Sequence, residues 1–267
     1  MSQRIISLII ALMSVVSHIM ANESGTDTII AAPQTYAVPQ YSFRPLQVVV
    51  PAGLIAAGSV ISATGWLRQN TGPQPERRTP EWVDGLLEFT PLAAGVVLGF
   101  AGVPSPYTIN ERMASRVTAA LLLQIMVQPT KRLVHSWRPD RSDTHSFPSG
   151  HTAVAFMGAE LMRIHYGPYW AIGGYAAATA CAVMRCVNNH HWPADVIAGA
   201  GFGILAANAA MWLLPLECKL MPFLTKGRKS LVDTNEKQAS AAAPSATLLP
   251  SYSPHGHTLG VSLALTF

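Results

Sequence analysis

The apolar positions of the chain fall into six segments, and every break between them contains glycine, proline or both. No segment alternates with period two over any length, and Ala, Leu, Gly and Met are abundant, which favours helices over strands. Glycine and proline in the breaks supply the stop signals that such helices need. The pattern predicts an all-α bundle of about six helices, over residues 46–67, 82–103, 112–136, 149–166, 168–187 and 193–215.

The composition indicates that this bundle is associated with a membrane. Hydrophobic residues make up 49% of the chain and charged residues 12%, where an ordinary soluble domain has about 25% charged residues. A full span needs about 20 apolar residues; the first and last segments qualify, whereas the second and fourth carry several charges. A bundle partly sunk in the bilayer fits this pattern as well as six full spans do, and 82–103 is the span that we expect to be absent.

The two ends of the chain differ from the segments between them. Residues 1–21 have the layout of a secretory signal peptide, with an uncleaved N-terminal membrane anchor as the alternative. Residues 22–45, rich in Pro, Ser, Thr and Gln, indicate a flexible linker. The tail at 216–267 is basic and then rich in Ala, Ser and Pro, which predicts disorder, except for a strand-like alternation at its end. The helical domain is predicted over 46–215.

Lys131 and Arg138 form the first of three polar clusters that interrupt the apolar pattern. Their spacing of two helical turns would place both side chains on one face of a continuing helix. Pro139 disfavours helix for the residue before it, which puts Arg138 at the helix exit. Long basic side chains that reach for the membrane interface are the alternative explanation.

The second cluster lies in "FPSGH", at the start of the fourth segment. Pro148 and Ser149 are typical of a helix start, and Gly150 leaves the first N–H groups of the helix open. Such a helix N-terminus binds anions, and His151 in the first turn is placed to face the same anion. The alternative is ordinary N-capping by Ser149 beside a solvated histidine.

The third cluster, "RCVNNHHWPAD", connects the fifth and sixth segments. Arg185 ends the fifth segment, and Asp195 lies one helical turn after His191, at the start of the sixth. A carboxylate in this position holds a histidine in one tautomer and stabilises its imidazolium form, as a nucleophilic histidine requires. The alternative is a capping carboxylate beside an interfacial histidine.

An up-and-down bundle would bring all three clusters to the same end of the molecule. Three cations, two histidines, one carboxylate and a helix N-terminus would then surround one point, which suits a phosphate-like dianion. A metal centre is disfavoured, because the cations would repel a divalent ion and acidic ligands are few; no cofactor is predicted. No basic run with interleaved aromatic residues indicates nucleic-acid binding. Three irregularly spaced cysteines favour small buried side chains over a disulfide framework.

The three motifs, in their order and spacing, resemble those of the type 2 phosphatidic acid phosphatase (PAP2) superfamily, which includes acid phosphatases, lipid phosphatases and vanadium haloperoxidases. The resemblance covers about residues 112–215. One departure is Met184, where the family usually has serine before the arginine. The stretches "FPSGHTAVAFMGAE" and "NNHHWPADVIAGAGFGI" are also similar to bacterial envelope members such as lipid A phosphatases.

The resemblance implies a metal-independent mechanism with a role for each motif residue. His191 would attack phosphorus and form a phosphohistidine, Asp195 would orient it, and His151 would protonate the leaving oxygen. Water would then release phosphate. The phosphoryl oxygens would be bound by Lys131, Arg138, Ser149, Gly150 and Arg185.

These expectations describe a lipid-phosphate phosphatase of the bacterial envelope, with a phosphorylated lipid and the membrane as its partners and a site that faces the periplasm. The candidate lipids are lipid A, undecaprenyl pyrophosphate and phospholipid phosphates. A vanadium-dependent haloperoxidase and a non-catalytic phospholipid-binding protein are the alternatives. No pattern in the sequence assigns an oligomeric state.

Overall fold

A computed structural model of the chain describes residues 41–66, 80–226, 245–253 and 258–266, with the single positions 7 and 228. The predicted signal peptide or anchor and most of the predicted linker lie outside these residues. The chain divides into two compact units, Met1–Thr225 and Lys226–Phe267, which are described separately.

The first unit contains the six predicted helices. They are α1 (Leu46–Thr64), α2 (Glu81–Phe100), α3 (Ile109–Val134), α4 (Gly150–Tyr166), α5 (Pro168–Val187) and α6 (Pro193–Leu220), followed by a short 3₁₀ helix at Pro222–Thr225. The predicted all-α bundle of about six helices is thereby confirmed for this unit.

Several helix boundaries differ from the prediction: α1 and α2 each end three residues early, at Thr64 and Phe100. Two further differences, at the start of α3 and the end of α6, have local reasons. Helix α3 begins three residues early, because Thr108 and Glu111 form a capping box: the Thr108 N–H donates to Glu111 Oε2 at 2.8 Å and the Glu111 N–H to Thr108 Oγ1 at 3.3 Å. Helix α6 continues through Pro215 to Leu220. Proline is tolerated in membrane helices where neighbouring groups satisfy the freed backbone.

Helix α4 lies at the centre of the unit, where it packs against α2, α5 and α6. Small residues on α6 permit this contact. A Cβ added at Gly199 would stand 2.5 Å from the Ser149 carbonyl oxygen, and one added at Gly203 would overlap the Ala153 carbonyl. Glycine therefore lets the backbone of α6 approach the first turns of α4 more closely than any larger residue would.

The charged residues of α4 are directed into the bundle. Arg163 Nε lies 2.8 Å from Glu160 Oε2, and both side chains are buried. The hydroxyl of Tyr175 donates to the same carboxylate at 2.6 Å, and Asn208 Nδ2 donates to its other oxygen at 2.8 Å. These charges mark α4 as an interior helix, since buried charges are tolerated when paired and hydrogen-bonded.

Within the part of the chain that the structure describes, four helices are long and apolar enough to cross a membrane: α1, α2 over Trp82–Phe100, α5 and α6. The prediction that 82–103 would be the absent span was wrong in this respect, since α2 qualifies and α3 and α4 do not. Within Trp82–Phe100, helix α2 carries only two charged residues, Asp84 and Glu88, and both contact residues of other helices.

The second unit contains an antiparallel pair of strands, β1 (Ser245–Ser253) and β2 (Thr258–Thr266), in which Ser245 pairs with Thr266 and Ser253 with Thr258. Strand β2 corresponds to the predicted strand-like end. Strand β1 lies within the stretch for which the sequence predicts disorder, and it pairs with that end of the chain.

Candidate active site

The three polar clusters meet at one end of the bundle, where α3 ends, α4 begins, α5 ends and α6 begins. Backbone hydrogen bonds join the segments that carry them. The Ser149 N–H donates to the Asp195 carbonyl at 3.0 Å, linking the starts of α4 and α6. The Asp140 N–H donates to the Asn189 carbonyl at 3.2 Å, linking the loop after α3 to the loop after α5. The clusters are therefore held together independently of any ligand.

His191 and Asp195 form the most buried part of the site, with side chains 2% and 0% exposed. His191 Nδ1 lies 3.6 Å from Asp195 Oδ2, which also accepts the Trp192 N–H at 2.9 Å and the Ser146 hydroxyl. Burial lowers the pKa of His191 to about 4, although Asp195 acts in the opposite direction. At neutral pH the imidazole is uncharged, with Nδ1 on the side of Asp195 and Nε2 free to act as a nucleophile.

The first N–H groups of α4 are not capped by a side chain, as the predicted anion site requires. Ser149 is the N-cap residue, but its hydroxyl contacts Thr152 Oγ1 at 3.1 Å and makes no capping hydrogen bond. The predicted alternative of side-chain capping is therefore not observed. His151 follows in the first turn, with its Nε2 at 3.3 Å from Glu88 Oε2 of α2.

The pKa of His151 is lowered to about 3, first by burial and then by the positive groups around it. Arg185, His191, His190 and Arg138 all contribute in this direction. These positive groups therefore disfavour the imidazolium form of His151.

Lys131 is in the last turn of α3, and its Nζ donates to the His145 carbonyl at 2.8 Å. Burial, followed by the charge of Arg138, lowers its pKa to about 8. Arg138 lies outside the helix, because α3 ends at Val134 and His135 takes a left-handed conformation with φ of 45°. The expectation that both side chains share a helix face was therefore wrong; the loop turns back, and Arg138 Nε lies 2.9 Å from Asp143 Oδ2.

Arg185 is held by a carboxylate from a distant part of the chain. Its Nη1 donates to Asp84 Oδ2 of α2 at 3.1 Å, and both side chains are buried. Asn188 Nδ2 lies 3.2 Å from each oxygen of the same carboxylate. Asp84 thus fixes the direction of the guanidinium and compensates part of its charge.

The site as a whole combines three cations, an open helix N-terminus and two histidines in a largely buried setting. Such groups stabilise the oxygens of a tetrahedral or trigonal phosphoryl group without reorganisation. Among the residues that the structure describes, no group of three or more His, Cys, Asp or Glu side chains is arranged to hold a metal ion. The three cysteines, Cys181, Cys186 and Cys218, are buried and form no disulfide with one another.

Comparison with known proteins agrees with this geometry. Residues 102–217 match the sequence model of the PAP2 superfamily. The part of the chain that carries the three clusters is therefore similar in sequence to the PAP2 superfamily. A curated relative, the Lipid A 1-phosphatase of Porphyromonas gingivalis, is 33% identical over 138 residues, or 50% of this chain. The alignment covers 31% of that relative, so the chain spans only about a third of its length. No solved structure matches the chain.

Residues 102–217, which match the PAP2 model, contain all eight residues that the sequence motifs single out. The structure brings these eight residues to the same end of the bundle. Their chemical roles remain predictions. His145 contributes a backbone carbonyl to Lys131 instead of its ring.

Four residues at this end escaped the sequence analysis: Asp84, Glu88, Ser146 and Asn188. The two acids lie on α2, outside the PAP2 segment, and were interpreted as a weakness of that apolar segment. A better signal was available, because acidic residues inside an otherwise apolar helix usually face a partner within the bundle. No pattern in the sequence identifies the partner itself.

Proposed function

We propose that this protein is a metal-independent phosphatase that releases phosphate from a lipid phosphate through a phosphohistidine on His191. The observation that carries the proposal is the convergence of Lys131, Arg138 and Arg185 on the open N-terminus of α4, beside a buried and uncharged His191. Neither the cations nor the buried histidine alone would indicate this chemistry; together they supply both an oxyanion site and a nucleophile.

In the first half of the proposed reaction, the substrate phosphate lies against the N–H groups of α4 and the three cations. His191 Nε2 attacks phosphorus, a P–N bond forms and the P–O bond to the leaving group breaks. Asp195 stabilises the positive charge that develops on the ring. The charge of the bound dianion offsets the cations around His151, whose imidazolium then gives its proton to the leaving oxygen.

In the second half, a water molecule attacks the phosphohistidine. His151, now neutral, accepts the proton of that water, the P–N bond breaks and inorganic phosphate is released. The same cations stabilise the phosphoryl oxygens in both halves, which is why one pocket serves two consecutive displacements.

Exposed aromatic residues support a lipid substrate. Trp66, Trp82 and Trp137 lie at the catalytic end of the helices and are 72%, 70% and 58% exposed. Tryptophan is enriched where membrane and water meet, because the ring is apolar and its N–H is polar. A catalytic end at that level would receive a phosphate in the headgroup region while the acyl chains of the substrate remain in the bilayer.

The substrate is tested by measuring phosphate release from lipid A, undecaprenyl pyrophosphate, phosphatidic acid and phosphatidylglycerol phosphate. The name of the Porphyromonas gingivalis relative puts lipid A first. We expect His191→Ala to lower the rate by about 10³-fold or more, and the matched His145→Ala to leave it close to wild type.

Two outcomes would contradict the proposal. Halide oxidation that requires vanadate, without phosphate release, would favour a haloperoxidase. Full phosphate release by a folded His191→Ala variant would exclude His191 as the nucleophile.

We also propose that the catalytic end faces the periplasm. Arg44, Arg112, Arg116 and Lys219 lie at the other end of the helices, and basic residues favour the cytoplasmic side. Of the exposed basic residues that the structure describes, Arg132 and Arg141 lie at the catalytic end instead. The native cysteines are buried, so a membrane-impermeant maleimide on intact cells should label Ser142→Cys at the catalytic end and leave Ala101→Cys at the other end unlabelled. The reverse pattern would place the site in the cytoplasm.

A further inference from the structure

Glu88 of α2 contacts His151, the group to which the proposed mechanism assigns proton transfer. Glu88 Oε2 is 3.3 Å from His151 Nε2, and the carboxylate side chain is only 13% exposed. It lies two turns inside an apolar helix, where an unpaired acid would be costly. The contact with His151 is therefore specific, and it comes from a part of the chain outside the matched PAP2 segment.

The packing of α2 on α4 accounts for this contact. A Cβ added at Gly158 of α4 would stand 2.8 Å from the Leu92 backbone nitrogen of α2. The two backbones are thus as close as glycine allows, one turn along α2 from Glu88 and two turns along α4 from His151. The position of Glu88 is set by a rigid helix contact and does not depend on a mobile loop.

The contact also decides which nitrogen of His151 is available for the substrate. Nε2 lies 3.3 Å from Glu88 Oε2, which leaves Nδ1 as the ring nitrogen for a leaving oxygen. No hydrogen bond joins Nδ1 to any residue that the structure describes. The arrangement is the opposite of that at His191, where Nδ1 meets the carboxylate and Nε2 is left for the substrate.

Most of the charged groups around His151 are positive, and they disfavour the protonated ring that a general acid requires. Those that face it are Glu88 from α2, Arg138 from the loop after α3, Arg185 from α5, and His190 and His191 from the loop before α6. Glu88 is the one carboxylate among them. An acid must hold its proton until the leaving group departs, so the site needs a negative group here to offset the cations that bind phosphate.

We propose that Glu88 is the positioning residue for the general acid: it accepts the Nε2–H of His151, directs Nδ1 at the leaving oxygen and stabilises the imidazolium in the substrate complex. This role rests on the proposed phosphatase function. In the step concerned, the Nδ1 proton moves to the leaving oxygen as the P–O bond breaks and the His191 P–N bond forms. Glu88 keeps its charge throughout, and His151 is left neutral for the water step.

Substrates with different leaving groups distinguish this role from a purely structural one. Para-nitrophenolate leaves readily without protonation, whereas an alkoxide requires an acid. For the full-length protein in detergent, we expect Glu88→Gln to lower kcat for dodecyl phosphate by about 10- to 100-fold and kcat for para-nitrophenyl phosphate by only about twofold. Glu88→Asp, which keeps the charge, should recover part of the loss, and Thr90→Val on the exposed side of α2 should match wild type.

The pH profile and a double-mutant cycle supply independent readouts. Removing the carboxylate destabilises the imidazolium, so the alkaline limb of kcat for dodecyl phosphate should move to lower pH in Glu88→Gln and stay nearer to wild type in Glu88→Asp. In a His151→Ala background, Glu88→Gln should cause no further loss, because both changes remove the same proton transfer.

Equal losses on both substrates, or additive losses in the cycle, would overturn the role of Glu88 and leave the phosphatase proposal standing. A wild-type protein that releases phosphate from neither substrate nor from the lipid panel would overturn the proposed function, and the role of Glu88 with it.

Discussion

The catalytic end contains two histidine–carboxylate pairs that were assembled in different ways. His191 and Asp195 are one helical turn apart in the chain, and the start of α6 alone brings them together. His151 and Glu88 come from different helices and meet only because α2 packs closely on α4. The His191–Asp195 pair forms wherever the start of α6 is helical. The His151–Glu88 pair depends on a tertiary contact, which a different packing of α2 on α4 would abolish.

The two pairs also differ in environment. The His191 pair is buried, and burial keeps the ring neutral, which suits a nucleophile. The His151 side chain is 38% exposed, at the mouth of the pocket where a leaving group and then a water molecule must pass. In the proposed mechanism, burial and the choice of ring nitrogen would tune two chemically identical groups for attack and for proton transfer.

The largest effect is expected from Asp195→Asn, which breaks the local pair. Asparagine cannot stabilise the imidazolium of His191, so kcat should fall by about 10³- to 10⁴-fold. The loss should be the same for para-nitrophenyl phosphate and dodecyl phosphate, because both need the nucleophile. A loss confined to dodecyl phosphate would show that Asp195 supports proton transfer instead.

An intermediate effect is expected from Gly158→Ala, which disturbs the remote pair without touching either of its members. The new methyl group would meet the backbone of α2 and should destabilise the fold by about 1–3 kcal/mol. By moving Glu88 away from His151, it should lower kcat for dodecyl phosphate by roughly tenfold, with little change for para-nitrophenyl phosphate. Gly173→Ala, where an added Cβ meets no described atom within 4 Å, is the matched control.

The smallest effect is expected from Ser146→Ala, which removes the hydroxyl that donates to Asp195. The Trp192 N–H still holds the same oxygen, so kcat should fall by only about threefold for both substrates. If Ser146→Ala were as damaging as Asp195→Asn, the hydroxyl rather than the helix turn would be what orients the carboxylate.

Most of the bundle could be predicted from the sequence because its signals are local. Apolar segments bounded by glycine and proline indicate six helices, and the structure has them. The start of α3 was missed although the capping box at Thr108 was readable, and the end of α6 was set too early because a proline was treated as a stop. The strand at 245–253 was missed because no local pattern predicts it; it forms by pairing with the end of the chain.

The sequence by itself determined the motif residues and the turn that joins His191 to Asp195, because helix geometry relates neighbours along the chain. The sequence also placed the α3–α4 and α5–α6 connections at one end of the bundle, because consecutive helices in a bundle alternate in direction. Only the tertiary structure decided that Asp84 holds Arg185, that Glu88 meets His151 and that Arg138 turns back to Asp143. Those contacts join residues remote in sequence, and the close approach of helices at small residues such as Gly158 selects the partners.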